Sequence, residues 1–213
     1  MPDAVALVMA GGRGQRFWPL STDARPKQFL DLERSGRTLL QATVDRIAPL
    51  VGGPERVLVA TGTRYVPLVR EQLPELPDAN LLVEPVGRDS APAIALAALR
   101  VRERFGDVVM GVFASDHRID DPERFRAALG RAMELSAARR GLVTIGIRPT
   151  RPATGYGYIE RGEAVLGGYR VARFVEKPNR TRAQAYLDGG ERLPQRQHQL
   201  RRVAIELRQD RLD

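Results

Sequence analysis

The chain has no cysteine among its 213 residues. Disulfide frameworks, thiolate metal centres and cysteine nucleophiles are excluded by that alone. It has two histidines, His117 and His198, which argues against a histidine-rich metal centre. Lysine is nearly missing too. Lys27 and Lys177 are the only two, and arginine supplies almost all of the positive charge. No apolar run is long enough to span a bilayer, and the N-terminus lacks the basic-then-apolar pattern of a secretory signal. A soluble cytoplasmic protein with no membrane partner is the expectation. The net charge of +8 would suit a nucleic acid. The arginines are scattered, however, without aromatic interleaving or a dense basic tract. Small anionic molecules account for a basic site equally well, and no nucleic-acid partner is expected.

What is present reads as alternating strands and helices. Val5 to Met9 is a buried strand, Thr38 to Ile47 a helix, and Arg56 to Ala60 the next strand. Tyr65 to Leu73 reads as a helix stopped by Pro74, Asn80 to Val83 as a short strand, and Ser90 to Phe105 as a long alanine-rich helix. Val108 to Phe113 is a near-continuous apolar run, the mark of a central strand covered on both faces. Pro122 to Ala138 is an amphipathic helix with Asp121 at its start, and Leu142 to Ile147 is another buried strand. Tyr156 to Glu160 and Tyr169 to Glu176 are strands of a more polar kind, and Thr181 to Leu187 is a short helix.

This alternation predicts an α/β fold, a three-layer α/β/α sandwich around a mostly parallel sheet. Residues 1–190 are expected to form one domain and 191–213 an arginine- and glutamine-rich tail. Leu200, Val203, Ala204 and Leu207 would line one narrow helical stripe in that tail. Ligands of such sheets bind outside the carboxyl ends of the strands. The loops at Gly11–Arg16, Thr61–Arg64, Glu84–Ser90 and Ala114–Arg118 are therefore the candidates for chemistry.

The first of these loops is the most telling. An apolar strand runs into Gly11, Gly12 and Gly14, with Arg13 and Arg16 among the glycines and Pro26-Lys27-Gln28 close behind. Such a loop presents backbone N–H groups to phosphate oxygens. No Gly-Lys-Ser/Thr closes it, and Phe17 stands where a dinucleotide fingerprint needs its third glycine. What remains suits a triphosphate: N–H groups for the oxygens, and Arg16 and Lys27 for the charge that builds on a pyrophosphate leaving group. Asp116 follows the central apolar strand, where a carboxylate either caps a turn or holds Mg²⁺. Glu84 can accept from the N1–H and exocyclic amine of guanine; the plain alternative is a strand, a loop and a helix capped by Ser90. Glu176-Lys177-Pro178 is either a surface turn or a carboxylate for sugar hydroxyls beside an ammonium for a phosphate.

Taken together, GGRGQRFWPLSTDARPKQFL (Gly11 to Leu30) resembles the signature of the sugar-1-phosphate nucleotidylyltransferases. It is most similar to the branch that transfers guanylyl groups to mannose-1-phosphate. The resemblance continues in EPVGRDSAPAIALAA (Glu84 to Ala98), ASDHRI (Ala114 to Ile119), TGYGYIE (Thr154 to Glu160) and FVEKP (Phe174 to Pro178). It implies GTP and mannose-1-phosphate as substrates and Mg²⁺ as cofactor, with self-association left open. It implies Arg16, Lys27 and Asp116 as catalytic residues, the metal being held by Asp116. Gly11, Gly12, Arg13, Gly14, Glu84, Gly87, Arg88, Asp89 and Ser90 would line the nucleotide pocket, where relatives often carry Asn-Thr in place of Asp89-Ser90. Gly155, Glu176 and Lys177 would hold the sugar phosphate.

Past Gly190 the pattern departs from the family. Relatives continue with a Trp-Asn-Ser-Gly-type motif, a second carboxylate for the metal and often a further domain, and ERLPQRQHQLRRVAIELRQDRLD does not match. Two other readings therefore remain: a short cytidylyltransferase-like enzyme of different specificity, and a protein that binds GTP without turning it over.

Overall fold

The computed structural model describes residues 1–12, 18–86, 90–147, 149–165 and 167–189, together with the backbone of 202–207. The chain divides into two compact units, Pro2–Arg126 and Ala127–Asp213 with Met1.

The first unit is built on strands β1 (Ala4–Met9), β2 (Val57–Gly62), β3 (Leu81–Glu84) and β4 (Val109–Ala114). They lie in the order β3-β2-β1-β4, every neighbouring pair parallel. Parallel neighbours need crossover connections, which helices α1 (Leu39–Val51), α2 (Val66–Gln72) and α3 (Ser90–Phe105) supply. From β1 to β3 the chain steps outward in one direction, and after β3 it jumps back across β1 to β4. Right-handed crossovers therefore put α1 and α2 on one face and α3 on the other. Side-chain contacts agree. Val5, Leu7, Leu58, Ala60 and Leu82 pack with Ala97 and Val101 of α3. The alternate residues Ala6, Val8 and Val59 are fully buried and point the opposite way. The result is helix, sheet, helix, with the reversal point between β1 and β4.

Local sequence explains the helix ends. Thr38 caps α1 in a reciprocal box with Gln41: its hydroxyl accepts from the Gln41 N–H at 3.3 Å, and the Gln41 side chain accepts from the Thr38 N–H at 2.9 Å. Gly52, at φ 93°, takes the left-handed conformation that ends the helix. The helix runs four residues past the predicted Ile47 and accommodates Pro49 in its last turn. Gln72, buried at the end of α2, accepts from the Thr38 hydroxyl at 2.6 Å and donates to the Phe29 carbonyl at 3.1 Å. It thereby ties α1, α2 and the segment after the glycine loop together.

The second unit holds most of α4 (Pro122–Arg139) and the strands β5 (Leu142–Ile147), β6 (Tyr158–Val165), β7 (Gly168–Val175) and β8 (Arg202–Leu207), with α5 (Arg180–Asp188) after β7. The strand order is β5-β8-β7-β6: β5 and β8 are parallel, and the other two pairs are antiparallel. Ala132 and Leu135 of α4 pack against Val143, Ile145 and Val165. Asn179 caps α5 by accepting from the Arg182 N–H at 2.9 Å.

Two expectations are corrected. Of the stripe Leu200, Val203, Ala204 and Leu207, the last three are not helical, and Leu200 lies outside the described residues. Arg202–Leu207 is a strand inserted between β5 and β7. The β-branched Val203 and Ile205 favour an extended chain wherever partner strands exist, and β5 and β7 provide them. Second, β4 is not central. It ends its sheet among the described residues, and Val112 is 41% exposed. A continuous apolar run reports what a strand can bury, not how many neighbours it has. Trp18, just after the glycine loop, is 78% exposed. No helix among the described residues is long and apolar enough to cross a membrane.

Candidate active site

Where β1 ends, the backbone enters Gly11 and Gly12, both exposed. Three carbonyls of this stretch, those of Met9, Ala10 and Gly12, are engaged. Ser115 donates to the Met9 carbonyl through its N–H at 3.2 Å and its hydroxyl at 2.8 Å. The Ala10 carbonyl accepts from the Thr61 hydroxyl at 3.1 Å and from the Gln28 amide at 3.0 Å. The same Gln28 amide nitrogen donates to the Gly12 carbonyl at 2.8 Å. Gln28 is 1% exposed, so a single buried amide clamps the start of the loop at two points. With the Met9, Ala10 and Gly12 carbonyls occupied by the protein, an anion at this turn does not face those acceptors.

Glu84, at the end of β3, lies over this turn. A Cβ added to Gly11 would meet its Oε2 at 3.6 Å, and one added to Gly12 would meet nothing within 4 Å. Lys27 opens the 3₁₀ turn Lys27–Phe29 and forms an ion pair with Asp116, just beyond β4. Each side chain is 25% exposed. Ser90 is the first residue of α3. Thus Gly11, Gly12, Lys27, Glu84 and Asp116 meet at the carboxyl end of one parallel sheet, beside the reversal point at which such sheets bind ligands. Arg13, Gly14 and Arg16, and Gly87, Arg88 and Asp89, lie outside the described residues.

The donor set suits a hard divalent cation. Among the described residues no group of three or more histidine or acidic side chains is arranged to hold a metal ion. A magnesium-like ion held with a triphosphate takes most of its oxygens from phosphates and water and needs one or two carboxylates. Asp116, partly exposed at a strand end, is such a carboxylate.

In the second unit, Glu176 and Lys177 follow β7. Consecutive residues of a strand point to opposite faces. Lys177 escapes that rule because its backbone is left-handed, at φ 41°, which sets its ammonium 3.1 Å from the Glu176 carboxylate. A left-handed non-glycine residue costs on the order of 1 kcal/mol, and strain of this kind collects at functional sites. Lys177→Gly is therefore expected to stabilise the chain by up to about 1 kcal/mol in chemical denaturation. A loss of stability would show that this backbone turn carries no strain.

Gly155 is exposed, with open space around it. The glycine that Glu176 lies against is Gly157, where an added Cβ would fall 3.1 Å from Oε2. Sequence reasoning missed Gly157 and Gln28. Both sit inside quoted motifs, TGYGYIE and Pro-Lys-Gln, yet neither carries a charge that singles it out.

Comparison with known proteins follows the same residues. The family described as Nucleotidyl transferase matches residues 5–193. A mannose-1-phosphate guanylyltransferase of Escherichia coli is 47% identical over 191 residues, covering 87% of this chain and 40% of that protein. The xanthan biosynthesis protein XanB of Xanthomonas campestris pv. campestris (strain B100) is 45% identical over 195 residues, covering 90% of this chain and 40% of that one. A solved structure from Thermus thermophilus, described as a mannose-1-phosphate geranyltransferase, superposes with a TM-score of 0.78 at 43% identity. It covers 88% of this chain and 54% of the other. The chain thus spans about two fifths of the length of the curated relatives it matches. Enzymes of this family generally use a divalent metal. With its Rossmann-like three-layer α/β fold, the chain belongs to the nucleotidyl transferase family.

Proposed function

We propose that this chain carries the machinery that transfers GMP from GTP to mannose-1-phosphate, giving GDP-mannose and pyrophosphate. The observation that carries the reading is the Lys27–Asp116 pair beside a glycine turn whose carbonyls are clamped by Gln28, Thr61 and Ser115. That arrangement gathers an anion-binding backbone, a compact cation and a metal-ligating carboxylate at one strand end. Its likeness to guanylyltransferases at 45–47% identity supports the choice of substrates.

In the reaction, a phosphate oxygen of mannose-1-phosphate forms a bond to the α-phosphorus of GTP as the bond to the β-phosphate bridging oxygen breaks. The nucleophile is already an anion, so no general base is required. Catalysis is then positioning and charge stabilisation. Lys27 and Arg16 neutralise the triphosphate and the departing pyrophosphate. Backbone N–H groups of Gly11 and Gly12 hold its oxygens, and Arg13 and Gly14 belong to the same proposed nucleotide pocket. Asp116 would hold the metal, which we take to be Mg²⁺ and which supplies charge neutralisation across the phosphates. Glu84 accepts from the guanine edge, and Gly87, Arg88, Asp89 and Ser90 take the nucleotide-binding roles that the family resemblance implies. Glu176 accepts from sugar hydroxyls, and Lys177 neutralises the sugar's phosphate. Gly155 and its neighbours let the backbone approach the hexose. Such substrates place the work in the cytoplasm.

The test is pyrophosphate release with each nucleoside triphosphate and a panel of sugar-1-phosphates in the presence of Mg²⁺. GTP with mannose-1-phosphate is expected to give the highest kcat/KM. Preference for CTP would replace this reading with a cytidylyltransferase. GTP binding without turnover would reduce it to a nucleotide-binding role.

A further inference from the structure

The hairpin of β6 and β7 has one face made by Gly157, Ile159, Phe174 and Glu176. Tyr158 pairs with Val175 and Ile159 with Phe174, so these four residues point the same way. Phe174 is 51% exposed, and its ring leans across Gly157. A Cβ built on Gly157 would collide with ring atom Cζ, lie 3.0 Å from Cε2, and sit 3.1 Å from Glu176 Oε2. The ring edge and the carboxylate therefore share the space above a single glycine. The Lys177 ammonium stands 3.1 Å from the other Glu176 oxygen.

A single exposed phenylalanine is ordinary on a protein surface. An aromatic face set directly beside a carboxylate and an ammonium is a different object. A pyranose phosphate has a C–H-lined face, hydroxyls at its rim and a dianion at one end. The three side chains match those three parts in kind: apolar wall, hydrogen-bond acceptor, cation. Binding sites are built in this way, with apolar lining and a few polar groups that fix orientation. We propose that Phe174 is the wall on which the hexose ring of the sugar phosphate stacks, and that Gly157 keeps clear the space this ring occupies. The inference rests on the reading of Glu176 and Lys177 given above and adds two residues to it. Gly157 is a positioning residue, acting through Phe174 and Glu176, because only a residue without Cβ leaves both where they are.

The experiment is titration of the 213-residue chain with mannose-1-phosphate, and separately with inorganic phosphate, followed by saturation-transfer NMR. Thermal melts of each variant check folding. Phe174→Ala is expected to weaken mannose-1-phosphate binding about tenfold, the loss of one aromatic face from a small ligand. Phe174→Tyr should hold it within about twofold. Gly157→Ala should weaken it like Phe174→Ala, while inorganic phosphate binds all of these alike. Saturation should reach the sugar C–H protons in the wild-type chain and in Phe174→Tyr. Unchanged affinity in a folded Phe174→Ala overturns the stacking role. If Glu176→Gln weakens binding in that case, the reading of Glu176 survives alone; if it does not, both fall. An affinity that drops equally in Phe174→Ala and Phe174→Tyr also overturns the proposal, since a stacking wall tolerates tyrosine.

Discussion

Lys27→Ala is expected to slow pyrophosphate release about a hundredfold or more, the order seen when one preorganised group is removed from a charge-stabilising site. The variant should still melt close to the wild-type temperature. Lys27 and Asp116 are each a quarter exposed, and an ion pair so reachable by water adds little to folding. The separation of the two readouts is the point. A structural salt bridge would lower stability and leave chemistry alone, whereas a catalytic cation does the reverse. Asp116→Asn should lose a comparable factor, together with the response of the rate to divalent metal. The double variant should fall short of the product of the single losses, because two partners of one interaction act as a unit. A Lys27→Ala enzyme with wild-type kcat would remove this lysine from the mechanism.

Gln28→Glu is the second large effect, and it strikes both stability and binding. The buried amide donates to the Ala10 and Gly12 carbonyls. A carboxylate has nothing to donate and would face two acceptors in a space from which water is excluded. Burial of an uncompensated charge beside carbonyl oxygens is expected to cost several kcal/mol in chemical denaturation. It also sets negative charge beneath the turn proposed to receive phosphates, so GTP affinity should fall at least about tenfold. The pH dependence gives a signature. Burial raises the pKa of the introduced carboxyl in the folded state. The folded chain then binds more protons than the unfolded one, and stability recovers as pH falls through that raised value towards the ordinary carboxyl range. Gln28→Ala should be milder, about 1–3 kcal/mol, since it leaves the Gly12 carbonyl without this donor but adds no charge. Wild-type affinity and stability in Gln28→Glu would mean that the loop holds its shape without the clamp.

These residues differ in how far the sequence exposes them. Strand β1, the α3 helix and the run that forms β4 are visible because apolar spacing alone reports burial. Lys27 stands out by rarity, Asp116 by its place after an apolar strand, and Glu176-Lys177 by the charge pair. Gln28 does not stand out, because an uncharged amide in a loop has no signature until its partners, 18 and 16 residues away, are folded against it. Gly157 is hidden beside Gly155. Which of two nearby glycines must lack a side chain depends on what lies across the hairpin, and that is Phe174 and Glu176. The segment Arg202–Leu207 looks helical because its apolar residues happen to fall on a helical stripe, yet strand partners outweigh periodicity.

The amino-acid sequence by itself determined the class of fold, the order of the motifs and the chemical groups present: glycines, two lysines, three carboxylates at strand ends. These follow from local patterns, which act over one turn or one strand. Tertiary structure alone decided how those groups are aimed. It engaged the loop's carbonyls through Gln28, Thr61 and Ser115. It set Lys27 against Asp116, far apart in the chain, and it turned Lys177 back towards Glu176 through a left-handed residue. Long-range pairing sets direction, and direction is what separates a charged loop from a site.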